Sequence, residues 1–334
     1  MGISSTRIIC NILSSLYLTC KCIPHIKGQN LPPDISLKRE DRPRHGAEAP
    51  TRARDFNHGS KTYRRMKDET FIHLCQPDAN KSCGACCGLY NYADSTKDSL
   101  SRRIRERTNY FRQTVGCQAD LPGFSHKVKM SEDTSKIYEV IYCCEYLGFL
   151  DDAEKKVGCL LHPCQNGGAD MREVSFYGRE LCEGHLCPSY HYLSREEKLA
   201  LTNIANDWYL YGLCVTDIDL VKSYFRLISE RVFEMPSPAR LKENGLGDII
   251  LNFFSFKISW PFRSSATNRF GKYYFDGSEY MINRIDYNAL GCEESRFNSI
   301  FLSLSSEFQN MQELEEGEKL IEANIDEFAR AYLQ

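Results

Sequence analysis

The chain has 334 residues, a length suited to one large domain or two of ordinary size. Its net charge of -3 argues against nucleic acid as a partner held by bulk electrostatics. With 42% hydrophobic and 26% charged residues it falls in the range of ordinary globular proteins rather than disordered or fibrous ones.

The charge is unevenly spread: the first 67 residues carry roughly +8 and the remainder roughly -11. Residues 1–66 read as a basic arm. Its opening apolar stretch, IICNILSSLYL, is broken by Asn11 and two serines and is too short to span a bilayer. It reads as a tail rather than a leader. MGISST fits only the loose acylation pattern. Residues 24–66 are rich in Pro, Gly and Arg, as a flexible linker is.

Residues 67–193 form a cysteine-rich region. SLSRRIRERTNYFRQT predicts an exposed helix, Pro122-Gly123 a turn, and KIYEVIYCCEYLGFL a strand that Cys144 ends. Residues 194–334 are mainly helical. SREEKLALTNIANDWYLYGL opens with a capping box, Ser194 to Glu197. TDIDLVKSYFRLISERVF follows with Thr216 as its N-cap, and SPARLKENG is a short helix stopped by Gly245. GKYYFDGSEYMINRI is a hairpin turning at Asp276-Gly277. EESRFNSIFLSLSSEFQNMQEL and GEKLIEANIDEFARAYL are two closing helices whose apolar stripes build a core. The expected architecture is α+β, mainly α: an irregular, metal-stapled lobe packed on a helical lobe with one β-hairpin.

The chemistry sits in the cysteines. There are 16, and Cys75, Cys83, Cys86 and Cys87 crowd into the string CQPDANKSCGACC. Four thiols so spaced make neither a helix face nor a strand face, but short loops of this kind converge sulfurs on a metal. Cys83-Gly-Ala-Cys86 is a C-x-x-C hook. Adjacent side chains rarely reach one ion in good geometry, so Cys86 and Cys87 are expected to face different metals or different corners of a cluster. Cys144 follows, then two C-x-x-H knuckles, Cys159 to His162 and Cys182 to His185, and then Cys187. The candidate ligands are therefore Cys75, Cys83, Cys86, Cys87, Cys144, Cys159, His162, Cys182, His185 and Cys187. That is too many for one tetrahedral ion and suits two ions or one to two iron–sulfur clusters. Cys143 and Cys164 are weaker candidates. Cys117, Cys214 and Cys292 read as inert thiols. Adjacent cysteines and C-x-x-C spacings fit a disulfide framework poorly, so a reducing cytoplasm is the expected compartment. No P-loop, dinucleotide fingerprint, nucleophile elbow or HExxH is present in the sequence.

At these residues the chain resembles the CxxCxxCC family of zinc- or iron-chelating domains. Cys75 and CGACC at 83–87 match its opening, CEYL at 144–147 and GCLLH at 158–162 its middle, and Cys182 and Cys187 its close. Here the first gap is seven residues, and a longer link replaces the usual Arg-Pro before the closing cysteine. The resemblance implies a metal centre without fixing a reaction: some members are described as iron–sulfur oxidoreductases, and a related domain occurs in flagellin lysine methylases. The expected function is thus a metal-cluster protein, iron–sulfur, with a redox or protein-modifying role on a protein or small-molecule substrate. The alternative is a protein in which one or two zinc ions only staple the fold and the helical half binds a partner; it draws on the C-x-x-H spacing.

Overall fold

A computed structural model describes residues 71–205, 207–265, 272, 274–275, 278–279 and 284–334. The basic arm at 1–66 and the Asp276-Gly277 turn lie outside them. The described residues belong to a single compact unit, and their fold is mainly helical with short antiparallel strand pairs. None of the described helices is long and apolar enough to cross a membrane.

In the cysteine-rich segment, helix α1 (Lys97–Thr114) buries Leu100, Ile104, Thr108 and Phe111, a three-to-four residue spacing that lays one face on strand β1. Pro122 is not a turn. It occupies the first turn of α2 (Leu121–Ser131), where a missing N–H costs nothing. Of the expected strand over 136–150, Lys136 makes an isolated bridge to Tyr92 and a strand forms only at β1 (Leu147–Phe149), which pairs with β2 (Val157–Cys159) in the register Leu147↔Cys159, Gly148↔Gly158, Phe149↔Val157. Cys144 therefore precedes the strand instead of ending it. Asn91 explains the difference. Its carboxamide donates to the Tyr138 and Ile141 carbonyls, both at 2.9 Å, and accepts from the Tyr138 amide at 2.9 Å. Those backbone groups are satisfied by a side chain, so no ladder forms there.

In the helical segment, the Ser194–Glu197 capping box is present at the start of α5 (Arg195–Ile204), which follows α3 (Gly178–Gly184) and α4 (Ser189–Tyr192). The helix expected to continue through residue 213 breaks instead. Asp207 accepts from the Tyr209 and Leu210 amides, both at 3.0 Å, and starts a separate helix, α6 (Trp208–Val215). All eight residues of α6 are buried, because it serves two cores. Trp208, Tyr209 and Leu213 pack with Leu89, Tyr90, Ile104 and Phe149, while Leu210, Tyr211, Cys214 and Val215 pack with the helices that follow. Asp217, not Thr216, caps α7 (Ile218–Val232), while Thr216 donates to the Gly212 carbonyl.

Residues 240–242 make one 3-10 turn, and Gly245, at φ 72°, begins a helix rather than ending one. That helix, α8 (Leu246–Ser259), was not anticipated from the sequence; Leu246, Ile249, Ile250, Phe253 and Phe254 form its buried face. The hairpin is present as β3 (Tyr274–Phe275) against β4 (Ser278–Glu279). After α9 (Tyr287–Leu290), the first closing helix is only α10 (Asn298–Ser303). The second begins early, at an Asn310 cap, and runs as α11 (Met311–Tyr332) across α7 and α8. The expected apolar core of this half is thus realised.

One polar cluster lies inside it. Asp217 is fully buried and accepts from Lys257 at 2.7 Å, and Lys272 approaches its other oxygen at 3.3 Å. Lys257 also donates to the Ser303 carbonyl at 2.8 Å, which ties α8 to α7 and α10. Burial alone would raise the Asp217 pKa, but the two lysines and the hydrogen bonds outweigh it and hold the carboxyl below its ordinary value. A depressed folded pKa means that the stabilisation is present at neutral pH and is lost as pH falls below about 4. Asp217→Asn should cost about 3–5 kcal/mol at pH 7, because the buried Lys257 ammonium loses its counter-charge. In urea unfolding, the gap between the two proteins should close as the pH is lowered; equal stability at pH 7 would refute this.

Candidate metal centre

The site is built around a 3-10 turn, Ala85–Cys87. The Cys87 amide donates to the Gly84 carbonyl at 3.1 Å and the Gly88 amide to the Ala85 carbonyl at 2.9 Å. Gly88 then takes a left-handed conformation, φ 76°, where the chain lies against Tyr142 and Cys143. A Cβ at Gly88 would fall 2.2 Å from the Tyr142 carbonyl oxygen. Only glycine permits this approach. The Cys144 amide, 2.9 Å from the Cys87 carbonyl, locks the two segments together. Buried Arg107 holds the far side, donating to the Cys144 carbonyl at 2.9 Å while it pairs with Glu132.

Around this turn the cysteines fall into two groups. The first contains Cys75, Cys83, Cys86 and Cys187. The Cys83 amide donates to the Cys75 carbonyl at 2.8 Å. Tyr190 ties in Cys187 and Cys75: its amide donates to the Cys187 carbonyl at 3.0 Å, and its hydroxyl accepts from the Cys75 amide and donates to the Cys75 sulfur at 3.6 Å. The Cys86 and Cys187 thiols are hydrogen-bonded to each other.

The second group contains Cys87, Cys144, Cys159 and Cys182. The Cys87–Cys144 backbone bond and the Leu147↔Cys159 register bring three of these together, and the same three pack into one cluster with Tyr146, Leu160 and Leu161. Cys182, on α3, lies 3.5 Å from the Ser175 hydroxyl and within electrostatic reach of Cys87 and Cys159.

The thiol pKa values follow this division except at Cys87, which Cys83 also raises. In the first group burial raises Cys75 to about 11, and it raises Cys83 further, with Cys75 and Cys187 adding to the effect. Cys86 is raised by its hydrogen bond to Cys187. The same bond, helped by the Ser189 hydroxyl and amide, lowers Cys187 to about 7. In the second group burial raises Cys87, with Cys144, Cys159 and Cys182 next in effect and then Cys83 of the first group. Burial likewise raises Cys144 to about 12 and Cys159 to about 11. Protonated thiols of this kind bind metal only by releasing protons, so affinity for metal should rise with pH.

The imidazoles have other surroundings. His162 accepts the Cys164 amide on Nδ1 at 3.2 Å, and the charges that bear on it are Arg172, Asp170 and Glu183. His185 is lowered by burial and then by His191. Sequence reasoning also missed Tyr190 and Tyr177. Tyr177 is raised by burial, then by Cys87, Cys144, Cys143 and Cys86, which places it over the junction of the two groups. Cys143 donates to the Gly88 carbonyl at 3.3 Å and is a further thiol beside the turn. Cys164 is exposed and Cys214 is buried in the helical core. All the described cysteines are free thiols. Among the described residues, no three His, Cys, Asp or Glu side chains are drawn to the spacing of a single bound ion.

Comparison with known protein families, with curated proteins and with solved structures gave no match to this chain.

Gly88→Ala tests the geometry of the turn. The left-handed backbone alone should cost about 1–2 kcal/mol, and the contact with the Tyr142 carbonyl more. Urea unfolding should show a loss well above 2 kcal/mol, roughly the top of that range. Gly123→Ala, where nothing crowds the added carbon, should leave stability near that of the parent. Comparable stability in the two variants would contradict the close approach.

Proposed function

We propose that the protein binds two metal centres, each in an all-cysteine group, and that these are iron–sulfur clusters serving a redox or protein-modifying role. The support for the reading is the Ala85–Cys87 turn, whose Cys87 carbonyl takes the Cys144 amide at 2.9 Å while the Cys83 amide before it donates to the Cys75 carbonyl at 2.8 Å, so that cysteines from several segments converge on one turn. Four thiolates satisfy a [2Fe–2S] or [4Fe–4S] cluster. The CxxCxxCC resemblance, carried by the same cysteines, agrees with this reading. Zinc also accepts four thiolates. Its particular support was the C-x-x-H spacing, and in this fold the charges bearing on His162 and His185 come from Arg172, Asp170, Glu183 and His191 instead of from sulfur. Metal chemistry of this type needs reduced thiols, which places the protein in a reducing compartment such as the cytoplasm. The substrate is a protein or small molecule that reaches the open side of the site, where Cys86 and Cys182 are exposed.

Purification without oxygen, followed by metal and acid-labile sulfide analysis, tests the reading. Iron with matching sulfide is expected. Cys86→Ser and Cys159→Ser should each remove roughly half of it while sparing the other group. Colourless protein holding zinc and no sulfide would overturn the iron–sulfur assignment. Full metal content in both variants would overturn the ligand sets.

A further inference from the structure

We infer that the groove at the C-terminal end of α7 is a binding site for a small organic cation, an ammonium or guanidinium carried on a short apolar chain. None of its lining side chains is a cysteine, so the site is independent of the metal reading.

The first observation is Phe233. It closes α7 (Ile218–Val232) in a left-handed conformation, φ 62°. Glycine, or sometimes asparagine, is the usual residue at such a helix end, because a Cβ there meets the backbone. The other non-glycine residues of positive φ among those described are Glu154, Asn244 and Ser305, all polar. Phe233 gains no burial in return. It is 91% exposed, the most exposed large apolar side chain among the described residues. A bulky ring held in a disfavoured conformation and left in water does not serve the fold, and backbone outliers of this kind gather where ligands are met.

Second, the ring stands in the lining of a cavity of about 700 Å³, together with Glu197, Lys222, Arg226, Glu230, Glu234 and Met235. That volume suits a small molecule. The Ser229 hydroxyl donates to the Met235 sulfur at 3.5 Å and steadies that side chain in the lining. Phe233 and Met235 thus offer apolar surface to a ligand's carbon chain.

Third, the charges of the lining select a cation. Lys222 pairs with Glu197 at 3.5 Å and Arg226 with Glu230 at 2.8 Å, so these four balance. Glu234 is the fifth charge, and it accepts a hydrogen bond from the neutral Tyr332 hydroxyl. The C-terminal end of the 15-residue α7 adds a partial negative charge. An anion is repelled here. A cation over the face of Phe233 is drawn by the ring, by Glu234 and by the helix end at once.

Nuclear magnetic resonance of the full chain, with its methionine methyl groups labelled, tests the site; Met235→Leu identifies the Met235 signal. Three probes of similar shape are titrated: butylguanidinium, neutral butylurea and the anion pentanoate. Butylguanidinium should shift the Met235 signal saturably, and its binding should weaken as salt rises. Butylurea and pentanoate should bind at least roughly fivefold more weakly, the scale of one cation–π contact. Phe233→Gly should weaken butylguanidinium by a similar factor while its urea midpoint rises, because relief of the left-handed backbone outweighs the added freedom of the unfolded chain. No saturable shift with butylguanidinium, or equal affinity for the three probes, would overturn the site, and both readings need only the parent. A lower midpoint in Phe233→Gly would show that the ring supports the fold and would overturn its assignment to a ligand.

Discussion

At Gly88 the chain folds back against Tyr142 and Cys143 with no room for a side chain, and the rest of the site depends on that contact. It brings a loop carrying Cys83, Cys86 and Cys87 against a loop more than fifty residues later that carries Cys143 and Cys144. The Cys144 amide and the Cys87 carbonyl then hydrogen-bond across the seam. Once this seam is set, β2 follows, because its partner β1 starts three residues after Cys144 and sets Cys159 opposite Leu147. Three of the four sulfurs in one group are positioned by these two backbone relations alone.

The seam is supported from below by the helical segment. Helix α6 is apolar on every side because it belongs to two cores at once. Gly212 on this helix admits the Tyr90 ring, whose hydroxyl donates to the Tyr209 carbonyl at 3.1 Å. Tyr211 reaches the Leu74 carbonyl at 2.7 Å, the residue before Cys75. The cysteine segment is therefore ordered by packing of its own against the helical segment. It has its own buried apolar residues and a helical neighbour, and Cys83, Cys87, Cys144 and Cys159 themselves pack against its cores.

Much of this could be read from the sequence, for identifiable reasons. The candidate sulfurs stand out in the sequence because short spacings are the mark of a knuckle, and the expected split between Cys86 and Cys87 rests on the reach of adjacent side chains. The Ser194–Glu197 box and the Asp276-Gly277 hairpin were legible because their signals are local. What the sequence hid was decided by long-range partners. The strand over 137–146 was lost to Asn91, some fifty residues away. The long helix after Ser194 was cut by a competing Asp207 cap. Helix α8 was legible in principle: Asp248, Asn252, Ser255 and Ser259 recur at helical spacing opposite its buried apolar face. Tyr190 and Tyr177 gave no local sign of their place beside the sulfurs, since both reach the site only through the folding of the link that follows Cys159.

The division of eight cysteines into two groups is the central claim, and anomalous diffraction at the iron edge from crystals grown without oxygen tests it most directly. The account predicts two separate peaks, one among Cys75, Cys83, Cys86 and Cys187 and the other among Cys87, Cys144, Cys159 and Cys182. A single peak, or a peak bonded to His162 or His185, would contradict it.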